Sequence, residues 1–570
     1  MKLSAPILSC LAAILTALSA ARAATPDFGP HVLIFEPDAP GMQERIAAIA
    51  AKQERSEFGN DRWALLFKPG SYNLDVRVGF YTHVAGLGRF PDDVTITGAV
   101  RSKTDWSSGH HALVNFWRGA ENLSVIPTED NAINVWAVSQ ATYLRRIHIR
   151  GNLVLWDRGS SSGGFLADSL IDGVVNSGTQ QQWLSRNDAW GRWTGSSWNM
   201  VFVGVTGAPA ASWPKPPYTV VQHTPVVREK PFLCLDEKGD FGVYVPDLVS
   251  RDSQGISWAG HPTPGRMLPI SRFYISHAET DTAMSLNAAL AAGKDLLITP
   301  GIYRLEVALN VTRPDTVVLG LGFPTFIPVK GNAVLTLADV DGVKLSGLLL
   351  EAGPLESPVL LEVGTPGCTA THGADPILLS DIFCRAGGAS TGVVRCFVTL
   401  HSSDVIGDNF WLWRADHGQG AAWKMNRNAN GLIVNGQNVT IYGLFVEHTQ
   451  EYQTVWNGNG GRVYLYQSEL PYDPPNQEAW MHDGHRGYAS YKVAASVTSH
   501  EAWGLGIYAV LKQTPVILES AIECPAAPGV KFHHMVMFRL NRQLGSGISH
   551  LINGKGEEVV TGRESRVDEW

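Results

Sequence analysis

Two glutamates late in the chain carry the clearest signal of chemistry. Glu447 closes the run Gly443-Leu444-Phe445-Val446-Glu447-His448, and Glu469 sits within Tyr466-Gln467-Ser468-Glu469-Leu470-Pro471-Tyr472-Asp473. Both runs read as β-strand. The two glutamates are 22 residues apart, the length of one coil in a solenoid of stacked parallel strands. At the same point of successive coils, their carboxyl groups would be separated by little more than the roughly 4.8 Å between neighbouring strands. Two negative charges that close repel, and partial burial adds to the effect. One member is therefore expected to keep its proton near neutral pH, the state a general acid needs. The pair predicts an enzyme.

Other residues suit a neutral, hydroxyl-rich substrate. The chain holds 18 Trp, and Trp456, Trp190, Trp193 and Trp480 are the candidates for stacking on a pyranose face, an apolar contact that needs no charge. Asp416 and His417 end the dense run Asn409-Phe410-Trp411-Leu412-Trp413-Arg414-Ala415-Asp416-His417 and would suit hydroxyl recognition, whereas the aromatics of that run fit a core equally well. The net charge of −8, with no basic block, argues against nucleic acid as a partner and against a polyanionic substrate.

Such a pair needs a long, regular scaffold. At 570 residues the chain exceeds one ordinary core, so two domains or a repeat array is expected, and 44% apolar with 17% charged residues excludes disorder. An internal repeat is visible. Leu65-Leu66-Phe67-Lys68-Pro69-Gly70-Ser71-Tyr72 returns as Leu296-Leu297-Ile298-Thr299-Pro300-Gly301-Ile302-Tyr303, and Gly86-Leu87-Gly88 with Pro91 is answered by Gly320-Leu321-Gly322 with Pro324. A short helical pattern precedes each copy, at Ile46, Ile49 and Ala50 and at Met284, Leu286 and Leu290, suited to covering an exposed first strand.

Short β-rich runs bounded by Gly, Asn, Asp or Ser then recur about once per coil, among them 334–337, 343–350, 377–383, 394–400, 439–446 and 463–466, with 132–138, 153–156 and 198–205 in the first half. These features predict an all-β protein of two tandem right-handed parallel β-helix domains lying side by side. The expected division is a first β-helix over 24–255, a linker over 256–270 and a second β-helix over 271–570 that carries the general acid. A cleft between the rods would gather residues from both.

Residues 1–23 read as a signal peptide, with Lys2, an apolar stretch from Ile7 to Leu18, and a small-residue cleavage site at Ala21-Arg22-Ala23. Export to the periplasm or the extracellular space is expected, as a monomer without a membrane anchor. Cys234, Cys368, Cys384, Cys396 and Cys524 remain after the signal; an odd count leaves at least one thiol free, and Cys368, Cys384 and Cys396 are the nearest candidates for a disulfide. No CxxC pair starts a metal site, and no cofactor or metal is expected.

The two halves, together with Gly-Leu-Phe-Val-Glu-His at 443–448, Trp456-Asn457-Gly458 and Gln-Ser-Glu-Leu-Pro-Tyr-Asp at 467–473, resemble glycoside hydrolase family 55. Its members are tandem β-helix exo-β-1,3-glucanases within the pectate-lyase-like superfamily. The resemblance covers nearly all of the mature chain. It implies cleavage of laminarin-type β-1,3-glucan from the non-reducing end with inversion, Glu469 as the general acid, Glu447 as the carboxylate that tunes it, and Tyr472 beside them in the pocket. An inverting enzyme needs a water on the far face of the sugar, and inverting carboxylates usually stand roughly 6.5–9.5 Å apart. A stacked pair is closer than that, so the water should be held from the first half, where the resemblance points to a glutamine. Gln180-Gln181-Gln182-Trp183 is the matching stretch, and Gln180 and Gln182 share a strand face; the same side chains could instead form a structural amide ladder.

Two other classes fit a β-helix. A polysaccharide lyase would use clustered carboxylates to hold Ca²⁺, for which Asp404, Asp408 and Asp416 are the candidates, although each also suits a turn between coils. A carbohydrate-binding protein would keep the architecture without the chemistry.

Overall fold

A computed structural model describes residues 25–258, 260–541, 545–559 and 563–570. The expected signal peptide lies outside the described residues. No helix among the described residues is long and apolar enough to cross a membrane.

The first half opens with Val32–Phe35, which pairs in parallel with Trp63–Phe67. The sheet then adds Thr82–Gly86, Arg118–Pro127, Thr142–Ile149, Phe165–Ala167, Gln182–Arg186, Asn199–Val203 and Tyr218–Val221, each in parallel register with the one before. The second half repeats the opening. Phe273–Ser276 pairs with Asp295–Ile298, and the sheet climbs through Val317–Gly320, Lys344–Glu351, Leu378–Ala386, Ile406–Arg414, Thr440–Glu447, Gly461–Glu469, Ser499–Ala509 and Gly529–Arg539. A second parallel sheet runs from Leu309–Val311 to Gly547–Ile552 alongside it. Strands nearest in space are thus one coil apart in sequence, the pattern of a parallel β-helix. Each rung is closed by tight corners, and at Gly443, where φ is +73°, the left-handed turn lies against Phe165 and Leu184 of the first half.

Each helix sits where the repeat places it, between the first two strands of its half. Met42–Gln53 buries Ile46 and Ile49 among Phe35, Leu65 and Phe67; Ala283–Ala291 starts from a Thr282 cap and buries Leu286 against Leu296 and Ile298. Segment 256–270 carries the chain from one half to the other and is docked along its way. The Ser257 hydroxyl and the Trp258 indole donate to Asp168, at 2.7 and 2.8 Å, and Gly265–Pro269 joins Phe241–Pro246 and Phe232–Leu235 in an antiparallel sheet.

Each rod has its own apolar core, and a third apolar cluster draws on both. Phe116, Trp117, Tyr143 and Phe165 of the first half meet Phe323, Trp411, Trp413 and Tyr442 of the second, with the rings of Phe116 and Trp411 4.5 Å apart. A buried charge network lies in the same seam. Arg145 donates to Asp381 through Nε and Nη2 at 2.9 and 2.8 Å and to Asp408 through Nη1 at 2.7 Å, while Arg186 donates to both Asp408 and Glu229. Charges this deep are tolerable only when paired. The rods therefore lie side by side along a packed, specific face.

The disulfide expectation fails. Cys234, Cys368, Cys384, Cys396 and Cys524 are all free. Cys384 and Cys396 stand in strands of the two different sheets of the second rod, buried as small apolar side chains, and burial pushes both thiols up.

Candidate active site

Glu447 ends Thr440–Glu447 and Glu469 ends Gly461–Glu469, and the two are direct register partners in neighbouring parallel strands. Their separation is therefore set by the strand spacing of roughly 4.8 Å. Glu447 is the deeper, only 3% exposed, and Glu469 is half-buried. Burial raises both carboxyl groups above the usual carboxylate range, and the charge of Glu469 adds to the rise at Glu447. The pair holds one proton between its members near neutrality.

Burial alone would leave that proton on Glu447. The hydrogen bonds favour the other assignment. Glu447 Oε1 accepts from Gln140 Nε2 at 2.8 Å and Oε2 from Trp411 Nε1 at 2.9 Å, two donors that cannot accept in return. Both stabilise a carboxylate. Glu469 Oε2 meets the Tyr472 hydroxyl, a group able to accept as well as donate, and so tolerates a protonated partner. By these bonds Glu469 is the member suited to hold the proton, and it is also the member with access to solvent.

Gln140 comes from the first half, so the two rods meet at the reactive pair itself. Its Nε2 also lies 3.4 Å from Ser162 Oγ, as does Gln182 Nε2. Gln140 and Ser162 keep small exposed surfaces, whereas Gln182 is fully buried behind them. Gln140 and Ser162 lie in the turns just before Thr142–Ile149 and Phe165–Ala167, and Gln182 opens Gln182–Arg186, which together with Asn199–Val203 packs on Thr440–Glu447, Gly461–Glu469 and Ser499–Ala509. Trp198, half-buried, closes the wall with its ring 4.9 Å from Tyr508, the register partner of Glu469 on the next rung.

Asp416 stands beside the residue that follows Glu447, its Oδ1 4.0 Å from His448 Nε2, and His417 Nδ1 lies 2.8 Å from Asp416 while its Nε2 lies 2.7 Å from Glu57 of the first half. The two carboxylates push His417 up to about 10, and its hydrogen bond and charge hold Asp416 down at about 2 against the opposing effect of burial. His417 is thus a cation that bridges an acid from each rod. Arg414 secures the turn beyond Glu469 with a two-pronged bond to Asp473, both at 2.9 Å.

The comparisons with known proteins agree with this fold. Residues 273–469 match the LAM55 pectate lyase-like domain, a span that ends on Glu469 itself. An exo-beta-1,3-glucanase of Streptomyces sp. (strain SirexAA-E / ActE) is 45% identical over 536 residues, 93% of this chain and 87% of that protein. The chain belongs to glycoside hydrolase family 55. The structure of sacteLam55A from Streptomyces sp. SirexAA-E superposes with a TM-score of 0.93 at 44% identity, covering 96% of this chain and 99% of that one. A variant of sacteLam55A with a glutamate replaced by alanine, solved in complex with glucose, superposes equally well, with a TM-score of 0.93 at 43% identity.

Within this family 55 fold, several of the residues expected to bind sugar lie elsewhere. Trp456 and Trp480 are fully buried in the second core, Trp456 with its ring 4.7 Å from His500. Trp190 and Trp193 pack on each other and on Phe202 in the first core, their indole N–H groups donating to Gly207 O and Gly195 O. A glucan cannot reach them. Gln180 also turns inward: its Oε1 accepts from the Gly163 N–H at 2.7 Å and its Nε2 points at the carbonyls of Val138 and Leu155, an amide bracket between rungs.

The three aspartates considered for Ca²⁺ do not converge. Asp408 is held by two arginines, Asp404 accepts from the His372 N–H and from Asn438, and Asp416 faces His417. Among the described residues no group of three or more acidic, histidine or cysteine side chains is placed to hold a metal ion. Gln140, Ser162 and Trp198 carry no distinguishing local motif, and Trp411 belongs to the aromatic run 409–417 that fits a core equally well. Gln140 is a lone glutamine in the turn before Thr142–Ile149, and only its position across the seam from Glu447 marks it.

Proposed function

We propose that this chain hydrolyses β-1,3-glucan from the non-reducing end with inversion of configuration, as an exported enzyme. The observation that carries this reading is the register pair Glu447 and Glu469 facing Gln140 and Ser162 across the seam. Substrate and exo action are supported by the 45% identical relative, named exo-beta-1,3-glucanase, and by the glucose complex of the sacteLam55A variant. Export is supported by the charged, apolar and small-residue pattern of the first 23 residues.

Inversion follows from what Glu447 is free to do. A retaining enzyme needs a carboxylate oxygen open for attack on the anomeric carbon. Both Glu447 oxygens are engaged by N–H donors, and the residue is nearly closed off from the cleft. Water is then the nucleophile. Gln140 Oε1 and Ser162 Oγ, on the opposite rod, are the groups available to hold it, with Gln182 fixing Ser162 from behind. Glu469 gives its proton to the departing glycosidic oxygen as the water oxygen bonds to the anomeric carbon. The water's surplus proton passes to solvent, and Glu469, the more exposed of the pair, takes a proton back from solvent for the next cycle.

Proton NMR of freshly digested laminarin tests the reading directly. The first product should be α-glucose, and Glu469→Gln should slow release by two or more orders of magnitude. β-Glucose as the first product, or a Glu469→Gln protein at the parental rate, would overturn it. An unsaturated product absorbing in the ultraviolet would mark a lyase.

A further inference from the structure

We infer that His448 is a positioning residue for the general acid, a single imidazole that ties the strand end carrying Glu447 to the strand end carrying Glu469. The inference rests on Glu469 being the acid. Its geometry is independent of that assignment.

His448 follows Glu447 directly, is only 3% exposed, and takes a left-handed backbone with φ at 63°. A non-glycine residue holds that conformation at a cost unless its surroundings over-determine it. Three bonds do so. The His448 N–H donates to the carbonyl of Glu469 at 2.8 Å, its own carbonyl accepts from Arg414 Nη1 at 3.3 Å, and its ring Nδ1 lies 3.0 Å from the carbonyl of Leu470. A carbonyl can only accept, so Nδ1 carries the hydrogen. One residue thus clamps two successive carbonyls of the neighbouring rung, at Glu469 and just beyond it.

The ring has a second contact. Its face meets Tyr472 at 4.3 Å between centroids and 61° between planes, and Tyr472 is the residue whose hydroxyl engages Glu469 Oε2. Lys512 Nζ sits 4.3 Å from the centre of the same phenol ring. Main-chain clamp and ring contact converge on one object, the Glu469 carboxyl. Neither contact reaches the Gln140 and Ser162 side of the cleft. Loss of the imidazole should therefore impair proton donation and leave water attack in place.

That separation is measurable through the leaving group. A poorly placed acid matters for a glucan, whose sugar alkoxide must be protonated as it departs, and hardly matters for 2,4-dinitrophenyl β-glucoside, whose phenolate leaves unaided. His448→Gly keeps the N–H bond, accepts φ at 63° without strain and removes only the ring. It should lower kcat on laminaritriose about 10- to 100-fold, with KM changed less than threefold, and lower kcat on the dinitrophenyl glucoside less than threefold. His448→Asn, which tolerates the left-handed backbone and offers an amide N–H near the place of Nδ1, should restore most of the loss.

Equal losses on both substrates, or no loss on either, would overturn the inference. Glu469→Gln is assayed in parallel. If it lacks the leaving-group dependence, the acid assignment fails; if it shows the dependence and His448→Gly does not, only the role of His448 fails. His448→Ala, which also removes the ring, makes the same comparison and decides the matter if the glycine variant does not accumulate as folded protein.

Discussion

Replacing Glu447 by glutamine should move the alkaline limb of activity without abolishing catalysis. With Glu447 ionised and Glu469 protonated, the charge of Glu447 helps to hold the proton on its neighbour. Two unit charges about 5 Å apart in a medium of effective dielectric about 20 interact by about 3 kcal/mol, roughly two pK units. Glu447→Gln removes that interaction. Glu469 then loses its proton at lower pH, and since it acts only when protonated, the limb where kcat/KM falls with rising pH shifts downward by up to about two units. The acidic side should move little.

The substitution has a structural cost as well. A glutamine has one acceptor oxygen for two donors, so with Oε1 kept on Trp411 Nε1 its NH₂ faces Gln140, whose amide either turns over to accept or is left opposed, the latter at about 1–3 kcal/mol of stability. The assay is kcat/KM on laminaritriose from pH 4 to 9, with the melting temperature followed in the same buffers. An alkaline limb that stays in place in a folded, active Glu447→Gln protein would refute the sharing of one proton. A complete loss of activity with the fold intact would give Glu447 a larger part than tuning.

Two further perturbations test the rest of the site. Gln140→Ala and Ser162→Ala should each lower kcat about 10- to 100-fold on glucan, the scale of a misplaced reactant, and on the dinitrophenyl glucoside to a similar degree, because water attack is needed for both; unchanged rates would remove them from the site. Asp408→Asn withdraws the charge shared by Arg145 and Arg186 and should cost about 3–5 kcal/mol, read as a lower denaturation midpoint, and an unchanged midpoint would show that the buried network does not hold the rods together.

Most of the scaffold was legible in the sequence because its determinants are local and repeat. The pair of Leu-Leu-φ-x-Pro-Gly motifs, the helix before each and the spacing of Glu447 and Glu469 all translate into rungs once a coil length is assumed. The facing of side chains was less accessible. In a flat strand, alternation sorts residues inward and outward, but every corner of a coil resets the count, so Trp456 and Trp480 read equally well as platform or as core. The same ambiguity separated Gln182, which reaches Ser162, from Gln180, which turns inward. His448 lies within the Gly-Leu-Phe-Val-Glu-His motif but has no chemistry until the rung beside it is known. Gln140 had no signal at all: its partner is 307 residues away, and only the docking of one rod on the other brings them together.

That docking also limits how the molecule can be divided. The span from Phe273 onward contains both glutamates, the whole matched catalytic module and a continuous core of its own, yet cut free it would present the indoles of Trp411 and Trp413 and the carboxylates of Asp381 and Asp408 to water, with Glu447 missing the amide that steadies its charge. Deletion or exchange of either half is therefore a loss for both.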